Sequence, residues 1–282
     1  MSVVAIVGAK GFVGSALSKE LEKEGVQVVS IDREDTSDRE RFKSKLEGSD
    51  VVVNLAGAPI IGRWSEEYKK LLYSSRIDTT NTLVELLNGL DKKPSLFIST
   101  SAVGIYKDGE GWSEEDEPNS DDYLGKICRD WERAALNAEG VARTVVFRFG
   151  VIIGKGGMMN KVLPPFRLGL GGIIGDGKQG FSWVSLEDVV GAIIFAIKGS
   201  CQGVYNLSAP NPTDNYGFTK ALGRVLNRPT VLPLPAFVLR LIYGEGSTVL
   251  LNGQKVLPKR LLQEGFSFRH EHIEDALKSA TN

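Results

Sequence analysis

The sequence has 282 residues, 42% hydrophobic and 24% charged, with 34 Lys and Arg against 35 Asp and Glu. That is globular composition, and the balanced charge argues against a nucleic-acid footprint. No apolar run reaches the ~20 residues of a membrane span, and the opening MSVVAIVG carries no secretory n-region, so a cytoplasmic protein without a membrane partner is expected.

Residues 3–7 (VVAIV) have the length and apolarity of a buried parallel strand. Gly8-Ala9-Lys10-Gly11-Phe12-Val13-Gly14 follows, then a helical stretch that Gly25 can stop. A second apolar run, 26–31, ends at Asp32. Strand, glycine loop, helix and strand in this order make a dinucleotide site. The glycines let the backbone approach a pyrophosphate, and the helix start offers free N–H groups. Gly8, Gly11, Phe12, Val13 and Gly14 are therefore cofactor candidates. Asp32 can accept from the adenosine ribose hydroxyls and favours NAD. Arg33 beside it can pair with a 2′-phosphate and favours NADP. The residues lean to NAD.

The spacing G-x-x-G-x-x-G resembles the short-chain dehydrogenase/reductase superfamily. Residues 51–59 (VVVNLAGAP) are a buried strand ending where that superfamily lines its cofactor, here Leu55, Ala56 and Gly57. A helix is expected over 65–88, packing through Leu71, Leu72, Ile77, Leu83, Val84 and Leu87. Arg76 interrupts its pattern, as a solvated charge or as a group reaching the cofactor. Residues 96–106 (LFISTSAVGIY) are an apolar strand ending in hydroxyls. Ligands sit beyond the carboxyl ends of such strands, which makes Ser101 the candidate to polarise a substrate oxygen and Thr100 the fallback.

The superfamily's next element carries Tyr-x-x-x-Lys, four apart on one helix face so that the ammonium lowers the phenol pKa. This chain has Tyr123-Leu124-Gly125-Lys126, a spacing of three. If Lys126 is the lysine, Asp122 holds the tyrosine position; if Tyr123 is the tyrosine, Ile127 holds the lysine position. Tyr123 and Lys126 are the candidate relay, with Lys126 also on the cofactor ribose. Asp121 and Asp122 equally suit a helix's first turn.

Another buried strand is expected over 144–153 and helices over 214–228 and 236–251. Arg63, Trp64, Arg167 and Trp183 are candidates to meet a polar substrate, core packing being the other reading of the two tryptophans. Cys128 and Cys201 have no metal spacing and read as reduced thiols. His270 and His272 have nothing nearby to complete a site, so no metal is expected.

Taken together, GAKGFVG, NLAGAPI, Ser75-Arg76, SAVGIY, K-x-x-x-x-W-E, RFGVIIGKGG, PFRLGLGG, SWVSLEDVV and the segment 233–268 resemble the epimerase family protein group. That group, itself uncharacterised, is classed with the nucleoside-diphosphate-sugar epimerases among the atypical short-chain dehydrogenases/reductases. In the tract 183–188 Ser185 stands where related epimerases have His. The resemblance implies a doubly wound parallel α/β sheet with a smaller C-terminal capping region. The expected division is a Rossmann domain over 1–155 and a mixed cap region over 156–282. The latter includes a last Rossmann strand and helix near 186–208 and the group's own segment 233–282. It also implies NADP, against the lean of Asp32, and an often missing catalytic tyrosine. The expected function is NAD(P)-dependent hydride transfer to or from a small polar substrate, a nucleotide sugar among the candidates. The alternative is a cofactor sensor or scaffold with lost catalysis. A homodimer is left open.

Overall fold

The computed structural model describes residues 2–282. The chain begins with β1 (Val3–Val7), α1 (Phe12–Lys23) and β2 (Gln27–Ile31), then short helices α2 (Arg33–Ser37) and α3 (Arg39–Leu46), and β3 (Val51–Asn54). Next come α4 (Glu66–Tyr73), a π-helical turn at Ser74–Asp78, α5 (Thr79–Asn88), β4 (Leu96–Ala102) and β5 (Gly109–Trp112). The middle of the chain forms α6 (Tyr123–Leu136), β6 (Arg143–Phe149), β7 (Val151–Ile153), α7 (Met159–Arg167), β8 (Gly180–Phe181) and β9 (Trp183–Ser185). Then follow α8 (Leu186–Lys198), β10 (Gly203–Leu207), β11 (Thr213–Asp214) and α9 (Asn215–Leu226). The end comprises α10 (Ala236–Tyr243), α11 (Thr248–Leu251), β12 (Gln254–Val256), α12 (Lys259–Gln263) and α13 (Ile273–Thr281).

Six strands form one parallel sheet in the order β10-β6-β4-β3-β1-β2. Alternation along each strand sends side chains to opposite faces. Val4 and Ile6 pack with Leu17 and Leu21 of α1 and Val189 and Ile193 of α8. Ala5 and Val7 pack with Phe42, Leu83, Leu87 and Ala135 on the other face. The sheet is thus doubly wound, as expected. Strand order reverses at β1, which pairs β2 on one side and β3 on the other, and that switch point opens a crevice at the carboxyl edge.

Several expected elements prove to be broken. The helix expected over 65–88 is interrupted by the π turn, whose i→i+5 bonds insert an extra residue under Arg76. The strand expected over 144–153 leaves the sheet at Gly150, and β7 pairs with β9 instead. A Cβ at Gly150 would lie 2.9 Å from the Ser182 carbonyl oxygen, so only glycine allows this crossing. The strand over 96–106 stops at Ala102 and tightens into a 3-10 turn. The helix over 236–251 stops at Gly244, whose φ of 58° ends α10.

The C-terminal segment is stitched back to β5, some 145 residues earlier in the chain. β12 runs parallel to β5, with Gln254 opposite Gly109. Leu261, Phe266 and Phe268 enter the core between the sheet and α8. Trp183, Met159 and Phe166 share a further core with α9 and α13. No helix among the described residues is long and apolar enough to cross a membrane.

Candidate active site

Gly8, at φ 85°, turns the chain out of β1 against the end of β3; a Cβ on it would sit 3.0 Å from the Leu55 carbonyl oxygen. Gly14 packs still tighter, its Cβ position 2.8 Å from Ala9 Cα and closer yet to the Gly8 carbonyl. α1 therefore starts directly over the loop. Its N-cap is Gly11, with no side-chain cap and no acid in the first turn, so the leading N–H groups at Phe12, Val13 and Gly14 stay available to an anion. Across the crevice lie Leu55, Ala56 and the exposed Gly57. The Phe12 ring lies under Gly156 and Gly157, whose Cβ positions would fall 2.9 Å and 2.8 Å from it. The loop after β7 therefore closes onto the cofactor loop.

Asp32 follows β2 as placed from sequence, but its carboxylate is built into the chain. It caps α2, with Oδ1 accepting from Glu34 N–H and Asp35 N–H, while Asp35 returns a bond to the Asp32 N–H. Oδ2 pairs with Lys10 at 2.5 Å. The Lys10 hydrogen bond, helped by the Asp35 and Glu34 N–H groups, lowers the carboxyl pKa to about 2. A depressed pKa stabilises above the unfolded value of about 4, and this cap loses its contribution only as pH falls through the folded one. Arg33 is exposed beside it, as is Lys10.

At the end of β4 both hydroxyl candidates are buried. Thr100 Oγ1 donates to the Asn54 carbonyl at 3.3 Å. Ser101 Oγ is enclosed without a hydrogen-bond partner and lies beside the Cys128 thiol. Burial raises that thiol's pKa to about 12, so Cys128 is a neutral thiol near pH 7. Arg76, from the π turn, lies near Cys128 and alongside Gly57.

Comparison with known proteins then bears on this crevice. The profile described as NAD dependent epimerase/dehydratase family matches residues 4–208. The chain belongs to that family. A profile for a domain of unknown function, DUF1731, matches residues 234–280. The chain is 38% identical to the chloroplastic epimerase family protein SDR39U1 homolog of Arabidopsis thaliana, over 98% of this chain and 86% of that protein. It is 34% identical to epimerase family protein YfhF of Bacillus subtilis, over 97% and 96%. Human epimerase family protein SDR39U1, solved with NADPH, superposes with a TM-score of 0.90 at 32% identity, covering 99% of this chain and 98% of that one. UDP-glucuronic acid 4-epimerase of Bacillus cereus, at 18% identity and TM-score 0.82 over 99% and 97%, shares the fold.

In this member of the epimerase/dehydratase family, Tyr123 and Lys126 do not lie together beside Ser101 as the sequence reading placed them. Asp122 caps α6 through the Gly125 N–H, which leaves Tyr123 as the first helical residue. The Tyr123 hydroxyl donates to the Lys69 carbonyl at 2.7 Å, and its ring packs edge-on to Trp64. Burial raises its pKa. Lys126 pairs with Asp130 at 2.5 Å on the exposed side of the helix, and that hydrogen bond raises its pKa in turn. Neither side chain reaches Ser101.

The residues of α6 that do face the end of β4 are Leu124 and Cys128, four apart. Leu124 Cβ is 3.7 Å from the Cβ position of Gly104, and Cys128 lies against Ser101. A hydrophobe and a neutral thiol thus occupy the face on which the superfamily carries phenol and ammonium. Matching residue types at a spacing of three hid a pair at the correct spacing of four. Tyr123→Phe is therefore expected to leave kcat/KM of any cofactor turnover within about twofold, where loss of a true general acid costs 10²–10⁴-fold.

Other substrate candidates also move. Trp183 is wholly buried, its Nε1 donating to the Asn211 carbonyl at 3.1 Å, so it has no face left for a ligand. Trp64 is buried too, its Nε1 held by the Ile60 carbonyl at 3.0 Å. Arg63 and Arg167 are exposed and have no carboxylate partner among the described residues. Ser185 caps α8, and Asp188 clamps the C-terminal segment by accepting from the Arg269 and His270 N–H groups. Among the described residues no group of three His, Cys, Asp or Glu could hold a metal.

Sequence reasoning missed one buried network. Arg148 of β6 pairs with Glu132 of α6 through two bonds of 2.8 Å and donates to the Tyr106 hydroxyl at 2.6 Å. That hydroxyl also bonds the Ser113 carbonyl and Asn206. Burial opposes the charge, but Glu132 and Tyr106 more than offset it, so the guanidinium pKa is raised. The available signal was an arginine inside the apolar run TVVFRFGVII.

Proposed function

We propose that the protein binds NADP(H) and moves hydride between its nicotinamide and a carbonyl or alcohol carbon of a small polar substrate. The observation that carries the cofactor half is the uncapped start of α1 over a glycine loop, with Lys10 on that loop drawn to Asp32. Asp32 already accepts three hydrogen bonds, so it favours NAD less than a free carboxylate would. Lys10 and Arg33 supply the positive charge that a 2′-phosphate requires. The human relative solved with NADPH supports the same choice. Phe12, Val13 and Gly14 would hold the pyrophosphate, and Leu55, Ala56 and Gly57 would line the opposite wall.

A bound dinucleotide would supply the hydride. Ser101, buried with its hydroxyl unpaired, would polarise the substrate oxygen, and Thr100 would hold the end of β3 behind it. With Leu124 and Cys128 facing that hydroxyl, the proton would come from solvent. The exposed Arg63 and Arg167 would meet a polar or anionic substrate.

Calorimetric titration with NAD⁺, NADH, NADP⁺ and NADPH tests this reading. NADPH is expected to bind tightest; equal or tighter NADH binding, or no binding at all, would sink it. Lys10→Ala is expected to weaken NADPH by about 10- to 100-fold, the worth of one charge-assisted contact, with NADH little changed.

Leu124 and Cys128 favour a second reading, a cofactor sensor that keeps the fold without turnover. A carbonyl panel that yields no NADPH oxidation, combined with cofactor-dependent binding of a protein partner, would select it.

A further inference from the structure

Arg76 stands apart from the other charges of the molecule. Its guanidinium is largely buried, and no carboxylate lies within ion-pair distance of it among the described residues; burial alone pushes its pKa down. An arginine keeps its charge regardless, so an unpaired one in a crevice calls for an anion or for polar oxygens. Only two of its five donors are used, Nη1 on the Leu72 carbonyl at 3.1 Å and Nη2 on the Ala58 carbonyl at 2.8 Å. The Trp131 ring supports it from below at 5.3 Å.

Its position is set by two local features. The π turn at Ser74–Asp78 widens the helix where Arg76 leaves it. Gly57 then makes room, since a Cβ there would lie 3.2 Å from the guanidinium carbon. The group therefore sits at the end of β3, beyond the glycine loop and on the way to Ser101 and Cys128. The adenosine side of the crevice, at Lys10 and Asp32, lies at the other end.

We propose that Arg76 is the cation that grips the nicotinamide half of the dinucleotide, taking over from the π turn packed beside α6 the task that a lysine on α6 performs in Tyr–Lys enzymes. The proposal rests on the NADP(H) reading above. The ligand chemistry is the ribose hydroxyls and adjoining phosphate of that half, which the free edge of the guanidinium can meet. Cys128 fills the lysine position as a neutral thiol, so no second cation competes there.

The experiment titrates wild type, Arg76→Gln and Arg76→Lys with NADPH and with adenosine 2′,5′-bisphosphate, which lacks the nicotinamide half. Arg76→Gln is expected to weaken NADPH by about 10- to 100-fold and leave the bisphosphate unchanged, with Arg76→Lys between the two. A structural role would instead lower both affinities together with the thermal midpoint. Unchanged NADPH binding by Arg76→Gln, or equal loss of both ligands, overturns the proposal. If Lys10→Ala still weakens NADPH in that case, the cofactor reading survives alone. Failure of wild type to bind NADPH brings down that reading and this proposal with it.

Discussion

Glu132→Ala is expected to destabilise the protein by about 3–5 kcal/mol, because it strands a buried guanidinium. The cost comes from the burial of both partners, with side chains only 6% and 8% exposed. Arg148 would retain Tyr106, which cannot neutralise it. Urea or thermal unfolding reads the loss directly, as a fall in midpoint on the order of 10 °C. The double variant Glu132→Leu/Arg148→Met is expected to recover most of it, since a buried pair replaced by apolar groups of similar volume is often neutral. A single variant as stable as wild type would mean that water reaches Arg148 at little cost. A double variant no better than the single would place the loss in packing rather than charge.

Gly14→Ala is expected to abolish dinucleotide binding in calorimetry while the fold survives with reduced stability. The added methyl would meet the Gly8 carbonyl and Ala9 Cα, both backbone, so neither can rotate aside. Overpacking of this kind costs about 1–3 kcal/mol. Its larger effect is to lift the first turn of α1 off the loop, taking the N–H groups of Phe12 and Val13 with it. A displacement of ~1 Å in a positioning group can cost on the order of 10²-fold. Unimpaired NADPH affinity in this variant would show that the helix start is not the pyrophosphate site.

The glycine-loop half of the site was legible because its physics is local. A strand, three glycines and a helix in sequence dictate a loop that an anion can approach, and Gly8, Gly11 and Gly14 stand where that requires. Asp32 was found by position, but its capping of α2 was not, because the bond from Asp35 depends on how the chain turns after β2. The catalytic wall was misread for a related reason. Tyr123 and Lys126 have the expected chemistry, whereas helix phase decides which residues face β4, and a register error of one residue rotates a side chain by about 100°. The break at Gly150 and the buried status of Trp183 depend on partners far along the chain, which no local pattern reveals. Arg76 was visible as an interruption, and the structure adds the π turn and the space at Gly57 that give the interruption a purpose.

The pairing of β12 with β5 also governs how the molecule can be made. Gln254 must find Gly109, and Leu261, Phe266 and Phe268 fill the layer between the sheet and α8. During synthesis at ~5–20 residues per second, α8 and β10 therefore wait seconds with that layer unfilled. Apolar surface on α8 and β10 stays open to wrong partners until residues 261–268 have been made. Nascent chains stalled before residue 254 should be aggregation-prone and bound by chaperones, while chains extended past residue 268 can fill that layer. A segment made well after α8 thus completes the layer that holds that helix to the sheet.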